Sequence, residues 1–222
     1  MLTITKSEKG KPMSKAVMIS IRPRWCELIA NGKKTIEVRK TRPKLETPFK
    51  VYVYCTAGDD KLWIADAVRR NWWGNTHVAH LYQSKNCGGM NLGNMKVIGE
   101  FVCDGIVWLA RVGFTRRGGE PEYRIANNGD WESPIDRLLE EACLTEEEID
   151  AYLGGNPGFG WHISDLKIYD KPKAIYEFKK HNRECYFNNL GMATPKCSEC
   201  TKCDLMRPPQ SWNYVEEIRD EQ

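Results

Sequence analysis

The 222-residue chain lacks an apolar run long enough to cross a membrane, and the stretch from Met1 to Lys15 is polar and lysine-rich. A membrane-spanning helix needs about 20 consecutive apolar residues, and a secretory signal needs an apolar stretch of roughly 7–15 residues. The sequence therefore predicts a soluble, cytoplasmic protein that has no membrane partner. Residues 1–14 are interpreted as a flexible leader.

A strong excess of charge of one sign is also missing. The chain has 33 Lys and Arg against 30 Asp and Glu, and its pI of about 8.3 is lower than expected for a dedicated duplex binder. The charge is unevenly spread, however, because residues 1–50 contain 13 basic and 4 acidic residues, a balance of +9. This basic part indicates a phosphate-bearing partner, although the lysines before residue 16 are equally typical of a solvated tail.

Hydrophobic residues make up 41% of the chain, which also has eight tryptophans, so the composition is that of a packed globular protein. Nine cysteines are many for a chain without a secretory signal, and in a reducing compartment a disulfide framework is the weaker interpretation. Cys26, Cys55 and Cys103 fall in apolar helix or strand patterns, where buried free thiols are common.

The most informative stretch is Gly32–Arg39, with the sequence GKKTIEVR, which follows a short helical pattern that begins near Pro23. Side chains alternate between the two faces of a strand, so Ile36 and Val38 point to one side. The opposite side carries polar groups, namely Thr35, Glu37 and Arg39, with Lys34 at its mouth. Two cations, a carboxylate and a hydroxyl on one surface predict a ligand site. An edge strand with a solvated polar face is the alternative.

Two runs in this region, SIRPRW at Ser20–Trp25 and NGKKTIEVR at Asn31–Arg39, resemble the signature of the ASCH family. This family is a branch of the PUA-like β-barrels, which are associated with RNA and modified nucleosides. The resemblance covers about residues 16–56 and extends weakly to Val97–Cys103 and Trp161–Ile168. It implies an α+β fold, a PUA-like β-barrel with flanking helices over residues 15–180 and an insertion at about residues 61–95.

The resemblance also implies a polar cleft that binds RNA or a modified nucleotide. In this cleft Arg39 and Lys34 would contact phosphate or a base edge, Glu37 would accept from an exocyclic amine, and an aromatic residue such as Trp25 or Trp161 would stack on the base. The other predicted ligand-binding residues are Thr35 in the motif, and His162 and Ser164 on the strand that borders the family's cleft.

Two other functions remain open at the level of sequence. One ASCH branch resembles an amidohydrolase acting on acetylated cytidine. The catalytic lysine of that branch matches Lys34, whereas Glu37 stands where the branch has a threonine. A hydrolase acting on RNA or a modified nucleoside would then use Glu37 as general base and Lys34 to stabilise developing charge. The third function is a protein-interaction scaffold. The sequence settles neither catalysis nor oligomeric state.

The insertion and the strands around it give weaker patterns. Leu62–Val68 has apolar positions at helical spacing, and Lys96–Trp108 has the alternation of one long strand. The adjacent Trp72 and Trp73 either stack on bases or anchor a loop to the core. Further along, Thr145 followed three residues later by Glu148 predicts a capping box at the start of a helix.

The last segment, residues 181–222, is predicted to be a Cys-rich tail that packs on the barrel through Trp212. Its candidate metal ligands are Cys185, Cys197, Cys200 and Cys203. Thiolates two residues apart turn back on one tetrahedral ion, and a loop supplies the fourth ligand, so the spacing predicts a small structural zinc knuckle. The alternatives are His181 in place of Cys185, an iron–sulfur cluster, and free thiols.

Overall fold

The computed structural model of the protein describes residues 14–58, 62–71, 74–83, 91–112, 122–127, 130–181 and 204–218. The strands are β1 Lys15–Ile21, β2 Ile36–Arg39, β3 Phe49–Cys55, β4 Leu62–Asn71, β5 Gly74–Gln83, β6 Asn91–Leu92, β7 Lys96–Cys103, β8 Ile106–Val112, β9 Glu122–Asn127, β10 Asp130–Pro134, β11 Gly158–His162, β12 Ser164–Lys173 and β13 Trp212–Glu216. The helices are α1 Pro23–Ala30, α2 Asp136–Ala142 and α3 Glu146–Leu153, with a single 3-10 turn at Ile175–Glu177.

The first sheet has the strand order β12-β7-β3-β1-β13 and is mixed, because β1 runs parallel to β3 and antiparallel to β13. Both faces of its central strands are buried, which explains their nearly continuous apolar sequences. On one face Val17 and Val51 belong to the main core, and on the other face Met18 and Tyr52 pack against Phe178 and its neighbours.

The second sheet has the order β10-β9-β8-β11-β2, and helices α2 and α3 cover one of its faces. Ile36 and Val38 of β2 pack there against apolar residues of both helices, among them Leu138 and Ile149. Helix α3 begins at the predicted capping box, since Thr145 Oγ1 accepts from Glu148 N and the Glu148 carboxylate accepts from Thr145 N.

Helix α1 starts with Pro23 at its first turn, as its sequence predicts, and lies against the main core. Its fully buried positions are Pro23, Cys26 and Ile29. Trp25 is only partly buried, and the cationic groups of Arg24 and Lys34 lie over its ring.

Two predicted elements are wrong. Leu62–Val68 is part of strand β4, not a helix, and β4 forms a separate three-stranded sheet of order β5-β4-β6. The apolar spacing of this segment is compatible with either structure, and pairing with β5 decides between them. Lys96–Trp108 is two strands, because the chain leaves the first sheet at Asp104–Gly105 and enters the second at Ile106.

The described residues contain no closed barrel, in contrast to the prediction of a PUA-like barrel, although the mixed sheets and helices agree with the predicted α+β class. A physical reason lies in the pairing of β1. Strand β3 occupies one edge of β1 and β13 occupies the other, so β2 has no edge of β1 on which to pair. Strand β2 therefore stays at the margin of the second sheet, next to β11.

The longest α-helices of the described ranges have eight residues, and none of them is long and apolar enough to span a membrane. In the C-terminal segment, residues 204–218 contribute β13 to the first sheet and place Leu205 and Val215 in the core beneath it. The predicted anchor Trp212 is confirmed, since it packs against the main core and its ring centroid lies 6.1 Å from that of Trp161.

Candidate functional site

Strand β2 places its two charged side chains inside the protein. Glu37 and Arg39 are each only 7% exposed, so the alternative of a solvated polar edge is wrong. They lie on the face of the second sheet that looks toward the first sheet. Their register partners on β11 are Trp161, opposite Glu37, and Phe159, opposite Arg39.

Lys34, Glu37 and Arg39 meet in one ion-paired group, here called the charged cluster. Lys34 Nζ lies 3.4 Å from Glu37 Oε2, and Arg39 Nη2 lies 3.0 Å from Glu37 Oε1, so both carboxylate oxygens are engaged. Lys34 is 2% exposed. Its ammonium group also donates to the carbonyl of Ala142 at 2.6 Å and lies 5.2 Å from the centre of the Trp25 ring.

Arg39 bridges the two sheets at the place where β1 and β2 do not pair. Its Nη2 donates to the carbonyl of Ser20 on β1 at 2.7 Å, and its Nη1 donates to Ser211 Oγ at a longer 3.4 Å. Ser211 is itself held on β1, because its carbonyl accepts from Ser20 N at 2.9 Å. The C-terminal segment therefore covers the charged cluster, a feature that the sequence motif did not indicate.

Two buried N–H donors in this region lack an acceptor among the described residues, namely Arg39 Nε and Trp161 Nε1. Arg39 on β2 and Trp161 on β11 are diagonal neighbours across the two strands, on the face that looks toward the first sheet. Two cations against one carboxylate also leave the charged cluster with a net formal charge of +1 in a region shielded from water. The local chemistry is therefore that of a site that would stabilise an anionic or carbonyl oxygen.

The aromatic residues predicted to stack on a base differ in accessibility. Trp161 is 0% exposed, and its indole lies between Phe49 and Trp212, with ring centroids at 6.0 and 6.1 Å. It has no open face for a base, although its N–H is available to a buried acceptor. Trp25 is partly exposed and contacts the charged cluster through Lys34. Thr35 is held through its backbone, which donates to the carbonyl of Glu141 and accepts from Ile163 N.

His162 and Ser164 lie apart from the charged cluster. His162 pairs with Ile36 across the strands and therefore belongs to the face opposite Glu37 and Trp161. Its Nδ1 lies 2.6 Å from Asp104 Oδ1, and the two side chains are 48% and 45% exposed. The hydrogen bond from His162 lowers the pKa of the Asp104 carboxyl. Ser164 donates to the carbonyl of Val102 at 2.9 Å. The sequence analysis missed Asp104.

An open cavity of about 510 Å³ adjoins the charged cluster at the end of β2. It is lined by the loop at residues 41–46 and by Phe159 of β11. Phe159 stands opposite Arg39 in the strand register, so one residue of the cavity wall is a cross-strand neighbour of the charged cluster. No sequence pattern predicted this cavity, because its wall joins the loop at residues 41–46 to Phe159 on a distant strand.

Several predicted residues lie outside the described residues. They include all four candidate zinc ligands, Cys185, Cys197, Cys200 and Cys203, and the tryptophan pair Trp72 and Trp73.

Comparisons with known proteins gave matches only among solved structures. No protein-family model matches the chain, and no curated protein matches it. A crystal structure of a serine-to-alanine mutant of ASCH from Zymomonas mobilis is 17% identical, covers 93% of this chain and 92% of its own, and has a TM-score of 0.43. A crystal structure of ASCH from the same organism is 15% identical, covers 91% of this chain and 88% of its own, and has a TM-score of 0.41. A tyrosine-to-phenylalanine mutant is 14% identical, with 91% coverage of each chain and a TM-score of 0.41.

Proposed function

We propose that the chain is an ASCH-like protein that binds RNA or a modified nucleotide at the charged cluster. The observation that supports this most directly is the pair of buried donors, Arg39 Nε and Trp161 Nε1, without an acceptor among the described residues. An unsatisfied buried donor costs about 1–3 kcal/mol. In this proposal the unsatisfied donors, at a buried site of net positive charge, are used by a ligand that enters the site.

The ligand chemistry follows from these donors. Carbonyl oxygens of a nucleobase and phosphate oxygens accept hydrogen bonds from guanidinium and indole N–H groups. In this proposal a ligand oxygen accepts from Arg39 and Trp161, and Trp161 acts through its N–H group instead of by stacking. The ligand takes the place of the Ser211 hydroxyl, which makes the longest of the Arg39 contacts at 3.4 Å.

The binding test uses two conservative variants. Trp161→Phe replaces the two-ring indole by a single aromatic ring and so removes the N–H donor. Arg39→Lys keeps the positive charge and removes the guanidinium group, with its fork of N–H donors. Purified protein is incubated with cellular RNA and nucleosides, and the retained material is identified by mass spectrometry. The wild type is expected to retain a nucleotide that both variants lose. Retention of nothing by folded wild-type protein would contradict the proposal.

A hydrolase acting on RNA or a modified nucleoside is the second candidate, and the His162–Asp104 pair favours it. A carboxylate that holds a partly exposed imidazole is the usual arrangement of a general base and its orienting partner. Glu37 is a poorer general base than the sequence indicated, because both of its oxygens are ion-paired. The same mass spectrometry decides between the candidates, since a hydrolase shortens the RNA or alters the nucleoside and His162→Ala abolishes that change.

We also propose that the tail binds a structural zinc ion through Cys185, Cys197, Cys200 and Cys203. The support is the spacing of the thiols alone, which is typical of a tetrahedral thiolate site. Elemental analysis of the purified protein should give one zinc per chain. Cys200→Ser is expected to lose it, and iron with acid-labile sulfide in its place would indicate a cluster.

A further inference from the structure

We propose that the cavity formed by residues 41–46 and Phe159 binds a backbone phosphate of a single-stranded RNA whose adjoining nucleotide occupies the charged cluster. This inference rests on the proposed function and adds to it a second subsite with its own residues. It is supported by the position of the cavity, the charges on its wall and the hydrogen bonds that hold the loop that forms it.

The position of the cavity suits a single-stranded RNA that extends from the charged cluster. Phe159 lines the cavity and stands directly opposite Arg39 in the β11–β2 register, so the cavity lies next to the strand position that carries Arg39. A volume of about 510 Å³ is within the range of small-molecule sites, roughly 300–1,000 Å³, and accommodates a phosphate with part of its sugar.

The formal charge on the cavity wall is net positive. Arg42, Lys44 and Glu46 line the cavity, which gives a net formal charge of +1. Within the described part of the chain, no carboxylate oxygen forms an ion pair with Arg42 or Lys44, whereas Arg24, Arg111 and Arg137 are all ion-paired. The Arg42 guanidinium instead lies 6.0 Å from the centre of the Phe159 ring, which orients it at the rim of the cavity.

The loop is held in place by the C-terminal segment. Lys44 N donates to Tyr214 Oη at 2.7 Å, and Trp212 Nε1 donates to Thr41 Oγ1 at 3.0 Å. Because the Thr41 oxygen accepts from Trp212, the hydroxyl proton of Thr41 is directed to another acceptor and is suited to a phosphate oxygen. A loop fixed at both ends loses little conformational entropy when it binds, which favours a specific site.

The test measures binding of a fluorescent, short single-stranded RNA by anisotropy as a function of salt. The variant is the double change Arg42→Ala with Lys44→Ala. Its matched control is Arg137→Ala with Lys171→Ala, which removes the same two charges at exposed positions outside the cavity. Each phosphate neutralised on a single strand contributes about 0.7 to the slope of log affinity against log salt, so loss of the one phosphate contact should lower the slope by about 0.7 and the affinity by about tenfold at ~0.15 M salt.

A second measurement separates this inference from the proposed function. Inorganic phosphate is titrated into the wild type while the amide chemical shifts of residues 41–46 are followed by NMR, and saturable shifts confined to the loop are expected. If the wild type binds RNA while the cavity variant equals its control and phosphate shifts no loop amide, the phosphate subsite is wrong and the proposed function stands. If the folded wild type binds no RNA, the phosphate subsite is overturned, and the proposed function falls only if the wild type also retains no nucleoside or nucleotide in the mass spectrometry.

Discussion

Glu37→Gln should destabilise the protein far more than Lys34→Met, because the charged cluster has two cations and one carboxylate. Removing the carboxylate leaves two uncompensated cations at positions that are 2% and 7% exposed. Breaking a buried pair in this way costs about 3–5 kcal/mol. Removing Lys34 leaves Glu37 paired with Arg39 and costs mainly the hydrogen bond to Ala142, about 1–2 kcal/mol.

The assay is urea unfolding followed by tryptophan fluorescence. With a slope of about 3 kcal/mol per molar urea, Glu37→Gln should lower the midpoint by about 1–1.7 M and Lys34→Met by about 0.3–0.7 M. Glu141→Gln is the control, since it removes the carboxylate of the exposed Arg137–Glu141 pair and should cost at most about 0.5 kcal/mol. Equal costs for the two cluster variants would refute the reasoning, since they would mean that the cluster is effectively solvated.

Three further outcomes are expected. Trp161→Phe should change the free energy of unfolding of the ligand-free protein by less than about 1 kcal/mol in urea, because the loss of packed ring atoms is offset by removal of an unsatisfied N–H. In native protein treated with a maleimide at pH 8, peptide mapping should show slow labelling of Cys103, whose burial raises its pKa to about 12, and faster labelling of the partly exposed Cys143. Thr145→Ala should cost about 1 kcal/mol in the same urea assay through loss of the capping box, and Thr145→Ser should retain it.

Features that depend on neighbouring residues were predictable from the sequence. Strands β1 and β3 follow from short, nearly continuous apolar runs, the first turn of α1 from a proline, and the capping box of α3 from a threonine and a glutamate three residues apart. The alternation of β2 likewise predicted that Glu37 and Arg39 share a face, and the structure brings both together with Lys34.

Features that depend on distant pairing were not predictable in this way. The break at Asp104–Gly105 is set by which sheet each half of the segment joins, and local alternation is the same on both sides. The apolar pattern of Leu62–Val68 is satisfied by a helix or a strand. The contact of Ser211 with Arg39 joins residues 172 positions apart, so no local signal in the β2 motif indicates that the site is covered.

The pairing of β13 with β1 also has a consequence for how the protein folds. Lys15 is matched with Glu216, so β1 acquires its second neighbour only after a segment about 200 residues further along the chain is available. Until then the apolar β1 has an unpaired edge, which is a template for pairing with other chains. Pairing over such a sequence separation is slow. Folding should therefore be slow. During synthesis, the nascent chain should depend on chaperones that shield β1 until β13 has been made and pairs with it.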